Sequence, residues 1–211
     1  MKELNKELIE ELGCIRFSAE KDNDHYCSFD LETGEVDMEA KSEMLTPACF
    51  NIDFRDESDF KIGYISGIIL PGDEDFFDTA NFYSADAAYI AEAVIEDYNR
   101  EQVKKRYKLH DGFLGSHIII ETINIDEKYR GQGLGERLII PAIKFFVDEY
   151  FVFDDDVLSV LLHAAPYELK EKGLTEEDDE FRTAQKKLIN FYRRIGFKTV
   201  KQSPIMYLSK Y

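Results

Sequence analysis

The chain has 211 residues, 44% apolar and 33% charged, with 16 Phe, 12 Tyr and no Trp, which is enough for one domain with a substantial core. Asp and Glu number 43 against 26 Lys and Arg, a formal charge of −17; such a surface repels phosphate backbones, so nucleic acid is not an expected partner and cationic partners are favoured.

Met1 to Leu12 reads as a short, charged amphipathic helix without the apolar centre of a signal peptide. No apolar run is long enough to span a bilayer, so no membrane partner and a cytoplasmic location are expected. Ile15 to Ala19 and Tyr26 to Phe29 have the character of short strands, and Glu32-Thr33-Gly34-Glu35 carries a turn signal. Ala48 to Phe54 alternates, with Phe50, Ile52 and Phe54 on one face. Lys61 to Leu70 is a second strand ended by Pro71-Gly72, and Asp56 to Asp59 supplies a hairpin loop between the two.

Asp73 to Asp78 reads as an acidic loop. Ser84 then caps a helix that runs to about Arg100, with Ala88, Ala91, Ile95 and Tyr98 at helical spacing. Lys104 to Lys108 is a basic patch that suits a solvated helix end. His117 to Ile125 is an apolar strand, expected to be buried on both faces. A glycine-rich turn, Arg130 to Gly135, opens a helix to about Tyr150 with Leu138, Ile139, Ala142, Phe145 and Phe146 on its apolar face. After a turn at Asp154 to Asp156 come a strand (Val157 to Ala165) and an acidic segment (Glu168 to Glu180). A helix from about Phe181 to Ile195 is stopped by Gly196, and Phe197 to Lys201 and Ile205 to Ser209 close the chain as strands. This is an α/β pattern with mixed strand pairing.

Cys14, Cys27 and Cys49 are odd in number and not paired in spacing, which suggests neither a disulfide framework nor a zinc site. His25, His110, His117 and His163 are scattered without metal-ligand spacing, so no metal is expected.

The chemistry concentrates in Arg130-Gly131-Gln132-Gly133-Leu134-Gly135. Glycines at a strand-to-helix junction let the backbone turn sharply and approach a ligand. Free N–H groups of the first helical turn favour an anion there, and Arg130 adds a mobile positive charge. The same loop would also serve as a plain tight connection. It is not a Walker loop, because no Gly-Lys-Ser/Thr ends it, and its glycine spacing is not that of the dinucleotide fingerprint.

Ile123-Asn124-Ile125-Asp126-Glu127-Lys128-Tyr129 followed by that loop resembles the coenzyme A signature of the GNAT superfamily of N-acetyltransferases. About sixty residues later, Ala184-Gln185 through Phe191-Tyr192-Arg193-Arg194-Ile195-Gly196-Phe197 resembles the family's late helix, which carries a Tyr and ends in Gly-Phe. Val157 to Ala165 falls where the family has its fifth strand, and Met206-Tyr207 fits its last. The resemblance covers about residues 116 to 209.

It implies one GNAT-like acyltransferase domain over residues 1–211, an α/β (α+β) fold with a mixed, mostly antiparallel twisted sheet flanked by helices. Residues 1–45 would be an atypical N-terminal segment and 116–209 the coenzyme-binding core. The implied co-substrate is acetyl-CoA. Its pantetheine arm would lie along the backbone of Ile123, Asn124 and Ile125 like an added strand. Its pyrophosphate would lie on Arg130, Gly131, Gln132, Gly133, Leu134 and Gly135. The implied reaction is direct attack of a primary amine of a small molecule or peptide on the thioester. A free alkylamine has a pKa of roughly 10, so a base must take its proton and an acid must meet the leaving thiolate. Tyr192 stands where the family commonly places the acid. Glu121, on the fourth strand, is the first candidate base and His163, on the fifth, the second; a polar residue in an apolar strand is either satisfied or functional. No cysteine falls in the matching motifs, which argues against a covalent acyl-enzyme.

The chain departs from the family in several places. Gln185 stands where many members carry Asn, leaving its bond to the coenzyme arm open. Pro141 interrupts the helix after the loop. The first half lacks the usual early pair of helices and places one between the third and fourth strands. That half builds the acceptor site in the family, so the acceptor is not defined; a cationic acceptor and a homodimer are both compatible with the sequence. A non-catalytic acyl-CoA sensor or interaction module on the same fold is the alternative.

Overall fold

The computed structural model describes residues 11–12, 15–22, 48–71, 76–98, 116–150, 157–200 and 203–208. The expected strand at Tyr26 to Phe29, the turns at 32–35 and 154–156, the basic patch at 104–108, most of the N-terminal helix, and Cys14, Cys27, His25 and His110 lie outside those residues.

Seven strands form one sheet: β1 (Arg16–Asp22), β2 (Ala48–Arg55), β3 (Lys61–Pro71), β4 (Ser116–Ile125), β5 (Val157–His163), β6 (Lys198–Thr199) and β7 (Ile205–Leu208). Their order is β1-β2-β3-β4-β5-β7-β6. The β4–β5 pair is parallel and every other pair antiparallel, the mixed, mostly antiparallel sheet expected. The helices are α1 (Phe76–Tyr83), α2 (Ala85–Tyr98), α3 (Leu134–Tyr150), α4 (Tyr167–Glu171) and α5 (Asp179–Arg194).

The β2–β3 hairpin turns where expected. The Asp56 carboxylate accepts from the N–H groups of Ser58 and Phe60, each at 2.9 Å, a local bond that competes with continued strand. Phe50, Ile52 and Phe54 are buried together. The sheet carries a core on each face. On one, Leu138, Ile139, Ala142, Ile143, Phe146 and Val147 of α3 pack on β2, β3 and β4, and α5 adds Leu188, Phe191 and Tyr192. On the other, Phe76 and Ala80 of α1 and Ala87, Ile90, Ala91 and Val94 of α2 cover Ile68, Leu70, Ile119 and Leu161. His117 is wholly buried on β4, its Nδ1 2.7 Å from Ser159 Oγ and its ring against Phe76. Burial pushes its pKa down to about 3, so it stays neutral and structural.

Three expectations are corrected. The acidic stretch before Ser84 contains α1, whose eight residues bury only Phe76, Thr79 and Ala80 and so show little periodicity. The acidic link after β5 contains the five-residue α4, with no buried residue at all. The helix after the glycine loop is not interrupted: α3 runs through Pro141, which is exposed, so its missing N–H leaves a carbonyl that water can reach. Among the described residues, no helix is long and apolar enough to cross a membrane.

One irregularity positions everything that follows. In the β3–β4 ladder Ser66 pairs with Thr122, but the next residue, Gly67, pairs with Ile120. Glu121 is therefore an extra, unpaired residue, a β-bulge. Ile118 and Ile120 belong to the α3 core before the bulge, and Ile123 and Ile125 pack on that same core after it. Gly67 permits the close approach, since a Cβ there would lie 2.0 Å from the Ile119 carbonyl oxygen. Gly67→Ala is expected to cost about 2 kcal/mol, as overpacking does, and to lower Tm by roughly 4–8 °C. A scanning calorimetry trace superimposable on the native one would show that this approach is not needed.

Candidate active site

The parallel β4–β5 pairing ends at Ile120 and Leu162. Beyond it β4 continues through the bulge to Ile125, while β5 stops at His163. A cavity of about 1000 Å³ opens between them. One edge of β4 stays bonded to β3 as far as Gly63 and Ile125; the other faces the cavity. Backbone groups on such a free edge can pair with an extended ligand.

The glycine loop closes one end. Asp126 starts it by accepting from the Lys128 N–H at 3.0 Å, and a short 3-10 turn, Glu127–Tyr129, anchors it through buried Tyr129. Gly131 and Gly133 have φ of 75° and 90°, conformations that cost an L side chain about 1–2 kcal/mol. Among the described residues, the N–H groups of Gly131, Gln132 and Gly133 make no bond within the chain. They lead into the first turn of α3, whose N–H groups are also unpaired by helix geometry. Gly135 lets α5 come close: a Cβ there would lie 3.0 Å from the Phe191 ring. Arg194 of α5 completes this corner by pairing with Glu136 of α3 at 2.8 Å.

Several loop residues sit otherwise than the sequence reading had them. Arg130 is a fixed charge, not a mobile one. Its Nε donates to the Ile125 carbonyl at 2.6 Å, one Nη donates to Asn124 Oδ1 at 2.9 Å, and the other pairs with Glu168 of α4. Gln132 turns its amide away to the Lys128 carbonyl, at 2.9 Å, and is not on the cavity wall. Gln185 is not on the wall either, and its Nε2 is buried with no partner among the described residues. Ile123, Asn124, Ile125, Arg130, Gly131, Gly133, Leu134 and Gly135 all line the cavity.

Tyr192 comes from the last turns of α5. That helix ends in a glycine C-cap: Gly196 has φ of 112°, its N–H donates to the Arg193 carbonyl at 3.2 Å, and the Phe197 N–H reaches the Tyr192 carbonyl at 3.0 Å. The Tyr192 ring is wedged edge-on between Phe191 and Phe197, at 5.1 and 5.9 Å. Its hydroxyl has no hydrogen-bond partner among the described residues. Burial pushes its pKa up to about 12, so it keeps its proton at neutral pH.

Glu121, the bulged residue, reaches the junction of α1 and α2. Ser84 Oγ donates to its carboxylate at 3.3 Å while also capping α2 through the Ala87 N–H at 3.0 Å. Tyr83 stands close by, its hydroxyl 3.3 Å from Cys49 Sγ. Burial raises the Glu121 pKa despite these hydrogen bonds, and the nearby negative charge of Asp86 raises it further. A more basic carboxylate is a better proton acceptor. His163 ends β5 with its ring 5.1 Å from Tyr89 and both ring nitrogens buried without a partner among the described residues. Burial lowers its pKa, leaving a neutral imidazole. Tyr167, which the sequence reading did not single out, completes this end of the wall. Glu121, His163 and Tyr192 thus stand on one cavity with the glycine loop.

No family model and no curated protein matches the chain. Among solved structures it is similar to Arabidopsis thaliana NAA60 in complex with a bisubstrate analogue, at 16% identity and a TM-score of 0.37 over 72% of this chain and 63% of that one. The same protein in complex with acetyl-CoA aligns at 16% identity and a TM-score of 0.35, over 78% of this chain and 75% of that one. AtaT complexed with acetyl-methionyl-tRNAfMet aligns at 12% identity and a TM-score of 0.43, over 92% of this chain and 95% of that one. The chain spans less than two thirds of the length of the first of these. At such identities it is the chain's own residues that must carry a function.

Proposed function

We propose that the protein is a GNAT-type N-acetyltransferase that passes an acetyl group from acetyl-CoA to a primary amine within a ternary complex. The observation that carries this is the cavity between the parted β4 and β5, with an unpaired N–H cradle at one end and Glu121 and Tyr192 on its walls. The free edge of β4 at Ile123, Asn124 and Ile125 suits the amides of a pantetheine arm. The N–H groups of Gly131 to Gly135 suit the pyrophosphate. Gln132 and Gln185 contribute from behind the wall, through the shape of loop and helix.

In this scheme Glu121 takes the ammonium proton, directly or through water, and the neutral nitrogen attacks the thioester carbonyl. The C–N bond forms, the C–S bond breaks, Tyr192 gives its proton to the departing thiolate, and the second proton of the acylated nitrogen returns to the Tyr192 oxygen, leaving a neutral amide and a free thiol. The neutral His163 is the second proton acceptor in reach of the cavity.

Isothermal calorimetry with acetyl-CoA tests the reading; no binding at millimolar coenzyme overturns it, and binding without thioester consumption over a panel of amines leaves a non-catalytic sensor instead. Because burial raises the Glu121 pKa, the acidic limb of kcat/KM is expected above the 4.5 of an ordinary carboxyl, with activity falling as pH drops through it. Glu121→Gln is expected to remove that limb and about 100-fold of the rate. A limb that survives in Glu121→Gln would transfer the role to His163.

A further inference from the structure

Around the wall formed by Glu121, His163 and Tyr167 lies a set of side chains that the acyl transfer itself does not use. Asp86, in the first turn of α2, accepts from the Tyr167 hydroxyl at 3.5 Å and pairs with Lys170 of α4, also at 3.5 Å. The Lys170 ammonium stands 5.5 Å over the Tyr167 ring. Tyr89, one turn along α2 from Asp86, lies against the His163 ring and is 40% exposed. The charges of Glu92 and Glu176 bear on Tyr89, and those of Asp86 and Glu176 on His163.

An alkylammonium, the chain's own, is therefore already held here by a carboxylate and an aromatic face. Carboxylate contact and cation–π attraction are the two forces that recognise such a group. The Lys170–Asp86 pair is half open to water, with side chains 55% and 40% exposed. Pairs so open to water are weak, so a ligand cation can take the place of Lys170. The reacting nitrogen, by contrast, has to be deprotonated beside Glu121, on the cavity wall. Recognition of charge and loss of charge thus fall at two neighbouring places.

We propose that the acceptor is a linear aliphatic diamine or polyamine: one ammonium replaces Lys170 between Asp86 and the Tyr167 ring, while a second nitrogen lies at Glu121. This rests on the acyl-transfer reading for the second nitrogen. The formal charge of −17 favours the approach of such polycations.

The test compares 1,4-diaminobutane with 1-aminobutane as acceptors, at one pH and ionic strength. The expected kcat/KM for the diamine is at least tenfold higher. Asp86→Asn should erase that preference, and Lys170→Met, which vacates the place, should lower the diamine KM several-fold. Thermal melts by circular dichroism check that Asp86→Asn, in the first turn of α2, is folded. Equal kcat/KM for the two amines, or a preference that survives Asp86→Asn, overturns the proposal. If calorimetry finds no coenzyme binding, the acyl-transfer reading falls, and titration of the protein alone with diaminobutane still decides the subsite. Diamine binding that Asp86→Asn abolishes supports it; no binding to the native protein overturns it.

Discussion

Gly133→Glu is expected to abolish coenzyme binding, raising Kd by about 100-fold or more, while the chain still folds. Two costs combine at this position. The backbone φ of 90° strains any L side chain by about 1–2 kcal/mol. The new carboxylate also projects from a residue that lines the cavity, at the end where unpaired N–H groups would meet a pyrophosphate. Two anions cannot share that cradle, and about 2.8 kcal/mol of lost interaction is enough for a 100-fold change. Gly133→Ala separates the two costs, because it carries the strain without the charge; its Kd should change far less. Calorimetry on both variants, with melts to confirm folding, is decisive. Near-native affinity in Gly133→Glu would mean that the loop is only a tight connection between β4 and α3.

Tyr192→Phe is expected to lower kcat by about 100-fold, in the range for a lost general acid, with coenzyme affinity and stability almost unchanged. The substitution removes one oxygen and keeps the ring between Phe191 and Phe197. Because the hydroxyl has no partner among the described residues, no buried group is stranded by its removal. The burial that pushes the Tyr192 pKa up to about 12 keeps the proton on the hydroxyl at neutral pH, as the proposed acid role requires. Stopped-flow measurement of thiol release under saturating coenzyme reads the step directly. An unchanged rate would leave Tyr192 as a packing residue.

The parts of the site that were legible in sequence are those built by neighbours in the chain. The glycine loop, the cap at Ser84 and the stop at Gly196 are each fixed by residues a few positions apart, so spacing reveals them. The Glu121 environment is set differently. Simple alternation along β4 places Glu121 and Ile123 on the same side, yet Glu121 bonds to Ser84 at the α1–α2 junction while Ile123 packs on the α3 core. The cause is a bulge that a glycine on another strand permits, which no pattern within β4 discloses. Arg130 likewise reads as a free cation until folding brings Glu168 from beyond β5. Tyr167 and Asp86 are 81 positions apart, and α1 and α4 are too short for their apolar spacing to stand out.

The bulge at Glu121 also makes the groove a matter of counting. Ile120 and Ile123 share a face only because an odd residue lies out of register between them. Deleting Glu121 would leave Ile120, Ile123 and Ile125 on the face toward α3, because Gly67 and Ser66 already pair with Ile120 and Thr122; straightening the bulge with Glu121 kept in register would instead send Thr122 and Asn124 toward α3 and Ile123 and Ile125 away from it. A single-codon deletion here would therefore take away the carboxylate beside Ser84 and keep the isoleucine face, whereas loss of the bulge without loss of the residue would invert that face.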